Sequence, residues 1–193
     1  MSQTFAHSHT GKLVQEALYT PSSFVEKICE GSIMVWLPTL VFGLGCYALF
    51  GMSLGFFPRG PGLITGTMLF PLVFFGALLI GVPTLYIFHS FLGSQLNLRQ
   101  FLAIGLVGLL LPGILLAGFA PINWFLALST KSAFLAKAGQ YQAIALASFF
   151  GYREIFELLK TFEPEHSAMQ QTLMRFWCLL HIGILLKLTH LLT

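Results

Sequence analysis

The chain reads as an all-α polytopic integral membrane protein, a helix bundle of about five transmembrane helices with an amphipathic N-terminal segment and an amphipathic linker helix. Three observations predict that class. Hydrophobic residues make up 56% of the 193 residues and charged residues only 9%, against about 25% charged in a typical soluble domain, so lipid is the solvent that suits this composition. Between Gly31 and Tyr152 the only charges are Arg59, Arg99, Lys131 and Lys137, and they leave three uncharged stretches long enough to cross a bilayer. There is no Asp, and every Glu (Glu16, Glu26, Glu30, Glu154, Glu157, Glu163 and Glu165) falls in one of two polar segments outside the apolar runs.

Residues 1–30 read as a polar tail and residues 31–193 as one transmembrane domain, because five spans of about 20 residues leave loops too short for a second folded unit. Residues 1–10 show no periodicity and read as disordered. In residues 11–30, Leu13, Val14, Ala17, Leu18, Phe24, Val25 and Ile28 lie among Lys12, Glu16, Glu26 and Lys27, with Pro21 breaking the run. That pattern predicts a short interfacial helix on either side of the proline, with a loosely ordered tail as the alternative. The first apolar run is about 26 residues long with no small-residue cleavage site behind it, so it reads as a retained span and not as a signal peptide.

Span 1, residues 32–57, is about 39 Å long at 1.5 Å per residue and crosses a core of about 30 Å with tilt or a bend at Pro38. Pro58-Arg59-Gly60-Pro61-Gly62 is too short and too rich in breakers to be anything but a hairpin tip. Span 2, residues 63–88, contains Pro71 and Pro83 and closes at His89 and the polar link 93–99. Span 3, residues 101–119, contains Pro112; Pro121 and Asn123 mark its arrival at water, with Trp124 at headgroup level. Span 4, residues 133–150, is interrupted in its first half by Lys137, Gln140 and Gln142, and Lys137 snorkels.

In the link 152–167, Ile155, Phe156, Leu158, Leu159 and Phe162 recur at helical spacing against Glu154, Glu157, Lys160 and Glu163. This predicts an amphipathic helix lying on the membrane or on a partner, with Ile155, Phe156, Leu159 and Phe162 as the docking face. Span 5, residues 171–192, has a short uncharged centre flanked by Arg175 and Lys187, so a full crossing requires both cations to snorkel. Lys12, Lys27, Arg99, Arg153, Lys160 and Arg175 fall on the N-terminal side, and Arg59, Lys131, Lys137 and Lys187 fall opposite. The bias favours a cytoplasmic N-terminus and a C-terminus across the membrane.

The net charge of +3 is spread over helix ends, which excludes a nucleic-acid patch. Cys29, Cys46 and Cys178 lack the paired spacing of a metal site or a disulfide framework. Histidines raise the question of haem or metal, but His89 ends span 2 whereas His181 lies about 15 Å deeper in span 5, and His181 and His190 are too far apart on one helix to share an ion. A packing role is expected, with no metal and no cofactor. His7 and His9 have nothing to orient them.

Proton- or ion-coupled transport needs an ionisable group within the bundle, and no carboxylate is there. Pro38, Pro71, Pro83 and Pro112 therefore read as helix kinks, with broken helices around a substrate as the alternative. Gly51 and Gly55, and Gly62 and Gly66, form two small-residue pairs at i and i+4 flanking the first hairpin, which lets spans 1 and 2 approach closely, or else packs one of them on another subunit. Ser53, Ser90, Ser129 and Ser148 have neither Asp nor a level His, so no catalytic residue is expected and the chain is not read as an enzyme.

Pro83-Thr84-Leu85-Tyr86-Ile87-Phe88, followed by Leu92-Gly93 and Leu98-Arg99-Gln100-Phe101-Leu102, resembles the second-to-third span region of small bacterial multipass membrane proteins of unassigned role. It is also similar, more distantly, to the Yip1-type five-span fold. The likeness continues through Ala120-Pro121-Ile122 and Arg175-Phe176-Trp177. It implies five spans and no known catalytic residues.

The functional expectation is a non-catalytic multipass subunit of the bacterial inner membrane that anchors or scaffolds a larger membrane complex. Its partners are the lipid bilayer and other membrane protein subunits, docked through the 152–167 helix and the N-terminal segment. The alternatives are a transporter or channel component whose Pro71, Pro83 and Pro112 shape a passage, and a haem-bearing membrane anchor of a redox enzyme.

Overall fold

The computed structural model describes residues 9–30, 33–55, 62–130, 132–164 and 168–192. Among them seven helices follow in order: α1 His9–Tyr19, α2 Pro21–Glu30, α3 Ile33–Leu54, α4 Leu63–Phe91, α5 Leu98–Ser129, α6 Ala133–Phe162 and α7 Ala168–Leu192. No strand occurs among the described residues. Val35–Leu54, Leu63–Phe91 and Leu98–Ser129 are long and apolar enough to cross a membrane, as an integral membrane helix bundle requires. Their helicity follows from that solvent, since each backbone N–H and C=O in hydrocarbon must find its partner within the segment.

The helix α5 is the central post. Two-thirds of its most apolar stretch, 67%, is buried inside the bundle, against 24% for α4. It packs most extensively on α6 and α3, and also meets α2 and α4, while α7 lies mainly along α4. One core cluster joins Phe24, Ile28, Leu85, Phe101, Ile104 and Met174. The other joins Tyr47, Phe50, Phe70, Phe74, Leu116 and Ile144.

Polar residues at the chain turns close the end of the bundle where α4 finishes. Gly93 adopts φ 87°, and its N–H bonds to Ser90 while Ser94 N–H bonds to the His89 carbonyl, the Schellman pattern that ends a helix. Asn97 and Gln100 then form a reciprocal capping box at the start of α5.

Several expectations are corrected. α1 and α2 do flank Pro21, tied by an ion pair of 2.6 Å between Lys27 and Glu16. Yet α2 does not simply rest at the interface, because Phe24, Val25 and Ile28 are fully buried in the core and Trp36 Nε1 of α3 donates to the Ile28 carbonyl. His9 and Thr10 begin α1; residues 1–8 and the hairpin tip 58–61 lie outside the described residues.

Span 3 does not stop near Phe119. α5 runs through Pro121 to Ser129, and Asn123 is buried with its Nδ2 donating to Ser53 Oγ at 2.9 Å. Proline forfeits one helical bond, which a helix held by its neighbours tolerates. Span 4 and the linker are likewise one unbroken helix, α6, which ends only at Glu163. Gly151 at the expected break keeps its place because α5 fills the space beside it: a Cβ there would run into the Pro112 ring and come 2.9 Å from the Gly108 carbonyl oxygen.

Candidate functional site

Gly51 and Gly66 face each other where α3 crosses α4. A Cβ on Gly66 would lie 2.5 Å from the Gly51 carbonyl oxygen, and one on Gly51 would sit 2.7 Å from Phe70 Cβ. One turn further, a Cβ on Gly55 would lie 2.5 Å from Leu63 Cα. Gly62, the residue before α4, adopts φ 83° and has open space where its own Cβ would be, but its carbonyl oxygen would lie 2.7 Å from a Cβ on Gly55. The four small residues thus lie in a backbone-to-backbone contact, the arrangement that lets dispersion hold helices in lipid.

Pro38, Pro71, Pro83, Pro112 and Pro121 all lie inside helices. Pro112 is buried against Gly151, and Pro71 is buried as well.

The face assigned to a docking partner is turned inward. Ile155 and Leu159 are 8% and 2% exposed and belong to the main core, and Phe156 and Phe162 pack against it. Ile155 fills the notch left by Gly108 on α5. An apolar stripe demands burial but does not say against what, and here the chain itself supplies the surface.

Deep in the bundle Tyr152, Trp177 and His181 form an aromatic and polar cluster. The Tyr152 hydroxyl hydrogen-bonds to His181 Nδ1. Trp177 stacks on the imidazole, with ring centroids 4.9 Å apart and planes 9° from parallel, and Tyr152 meets the indole edge-on at 86°. Tyr152 lies on α6 and His181 on α7, so their bond joins these two helices. Gly81 makes room for the indole: a Cβ there would be 2.5 Å from Trp177 Cζ2.

This cluster borders a cavity of about 40 Å³ that Tyr47 and Ser148 also line. At about 10–15 Å³ per water that is space for a few waters, against the roughly 300–1,000 Å³ of ordinary ligand sites. A haem or a transported metabolite does not fit it. The Tyr47 hydroxyl donates to the Leu109 carbonyl at 2.9 Å, which fastens α3 to α5.

Two further histidines contact aromatic side chains. His89 is 1% exposed in the last turn of α4 with its ring against Phe101, and His190 pairs with the Tyr141 hydroxyl at 3.1 Å. His7 lies outside the described residues. Among those residues no three His, Cys, Asp or Glu side chains gather as a metal site would need, and Cys29, Cys46 and Cys178 are free thiols. Burial pushes the Cys29 thiol above its ordinary range, with the Arg99 charge partly opposing the shift.

Sequence reasoning missed the Tyr152–His181 pair, the Ser53–Asn123 bond and the role of Glu163. The Glu163 carboxylate accepts from Ser94 Oγ at 2.8 Å and from the Gln95 N–H at 3.0 Å, clamping the α4–α5 loop to the end of α6. The available signal was polarity at unlikely depth: Tyr, His, Ser and Asn inside apolar runs need partners.

No family model, no curated protein and no solved structure matches the chain.

Proposed function

We propose that the chain is a five-span membrane subunit that anchors or scaffolds a larger membrane complex and carries out no chemistry of its own. Its N-terminus lies in the cytoplasm and its C-terminus across a bacterial inner membrane. The observation that carries this reading is the direction of its polar side chains. Tyr47, Asn123, Tyr152 and His181 use their hydrogen bonds to join helices, and the cavity that Tyr47, Tyr152 and His181 line has room only for water.

The outer surface is the opposite. On α4, Ile64, Met68, Leu72, Leu79, Ile80 and Ile87 are all exposed, a continuous apolar face for lipid or for the spans of other subunits. Because α2 and α6 turn their apolar stripes inward, partners meet the protein on such outer faces. The seat of Trp177 on Gly81 and the long contact of α6 with α5 support α6 and α7 crossing beside the three apolar spans. Five crossings put the termini on opposite sides, and the six-to-four cation bias supports a cytoplasmic N-terminus.

Purification from native membranes in mild detergent tests the reading. Co-elution with stoichiometric membrane partners is expected, together with no solute flux through the lone protein in liposomes. Flux through the lone protein rejects the proposal. Reporter fusions at the two termini are expected to report opposite compartments.

A further inference from the structure

Where α4 ends and α7 begins, a cleft of about 250 Å³ opens between α4, α6 and α7. Its lining is divided by chemistry. Lys160, Arg175 and Gln171 bring hydrogen-bond donors, Phe156, Leu159 and Met174 form an apolar wall, and the buried His89 ring completes it. Among the described residues no carboxylate belongs to the lining. Lys160 is held by Glu157 only at 3.4 Å, with both side chains more than half exposed, a pairing worth little. Arg175 has no ion-pair partner among the described residues.

The level of the cleft matters as much as its charge. Lys160 and His89 each lie two residues before their helix ends, and Arg175 lies about 10 Å into α7. Gln171, Arg175 and Leu179 are four residues apart in turn, so they share one face of α7. Leu179 is 70% exposed, which continues the cationic cleft into a strip suited to an acyl chain.

We propose that this cleft binds the phosphodiester headgroup of an anionic phospholipid. Arg175 and Lys160 donate to the phosphate oxygens, Gln171 donates to the glycerol or headgroup oxygens, and an acyl chain runs over Leu179. A free phosphate would satisfy the cations but leave the apolar wall and the strip below it without a partner. A choline headgroup would set a quaternary ammonium against two cations. The assignment goes beyond the scaffold reading and holds for any complex the protein joins.

Native mass spectrometry of the full chain, delipidated and then offered dioleoyl phosphatidylglycerol or dioleoyl phosphatidylcholine, tests it. Preferential retention of phosphatidylglycerol is expected. Each cation removed costs about fivefold in affinity, so the double variant Lys160→Ala/Arg175→Ala loses about 25-fold. Lys187→Ala, at the other end of α7, retains the lipid. The charge-keeping Lys160→Arg/Arg175→Lys protein also retains it, which separates lost charge from a damaged fold. Equal retention of the two lipids, wild-type retention by the double alanine variant, loss of lipid from the charge-keeping variant, or complete displacement by excess inorganic phosphate each overturns the proposal.

Discussion

Replacing Gly66 with alanine tests how the first two spans are held together. The new Cβ would stand 2.5 Å from the Gly51 carbonyl oxygen, about 0.9 Å inside the 3.4 Å at which ordinary contact begins. The atom it meets is backbone, so no rotamer change relieves the overlap and α3 must part from α4. A gap of that size forfeits a quarter to a half of each dispersion well across the crossing, including the contact of Phe50 with Phe70, whose rings now lie 5.2 Å apart. Overpacking of this kind costs about 1–3 kcal/mol, offset in part by the roughly 1 kcal/mol by which alanine favours a helix over glycine. A net loss of up to about 2 kcal/mol against the wild type, and about 1–3 kcal/mol against Gly→Ala changes with open space, is expected, read as a shift in the unfolding midpoint when SDS is titrated into the protein in mild detergent. Gly45→Ala and Gly76→Ala are the controls: nothing lies within 4 Å of a Cβ at either position, so both should be neutral or more stable. If Gly66→Ala behaves like these controls, backbone contact does not hold the crossing and the reasoning fails.

Tyr152→Phe removes the hydroxyl bonded to His181 and is expected to cost about 0.5–2 kcal/mol in the same titration; a loss no larger than that of Tyr141→Phe, whose bond is exposed, would contradict the clamp. Glu163→Gln weakens the acceptor for Ser94 and Gln95, so amide exchange over residues 93–97 should speed up while exchange in the middle of α5 stays unchanged. Because the Cys29 thiol is raised, the folded protein keeps that proton where the unfolded chain has lost it. Its contribution to stability is therefore full below the ordinary thiol range of about 8.5 and fades as pH rises through the folded value. Alkylation of Cys29 should accelerate only at pH above that range, and thiolate-like reactivity at neutral pH would refute the burial.

The three apolar spans, the helices flanking Pro21 and the small residues at the first hairpin were legible because composition and local spacing encode them. The continuity of α6 was not. Glu154 and Glu157 made residues 152–167 look like a separate polar element, yet nothing local breaks the helix between 150 and 152, and the notch at Gly108 that receives Ile155 lies 47 positions away in sequence. Asn123 misled for a similar reason: a buried amide is tolerated when a hydroxyl from another helix meets it, and Ser53 is invisible to any local window. His181 announced itself by depth, but its phenol partner 29 residues earlier could be named only in three dimensions.

The central position of α5 bears on how the molecule is made. As the chain emerges, the α3–α4 pair can close first, since its contact joins neighbours in sequence. α5 then enters with one flank settled against that pair, while the opposite flank, including the hollow at Gly108, faces lipid until α6 has been synthesised. The newborn protein therefore passes through a stage with an open seam, and a ribosome stalled before Ile155 would leave α3, α4 and α5 inserted with the hollow at Gly108 exposed to membrane quality control.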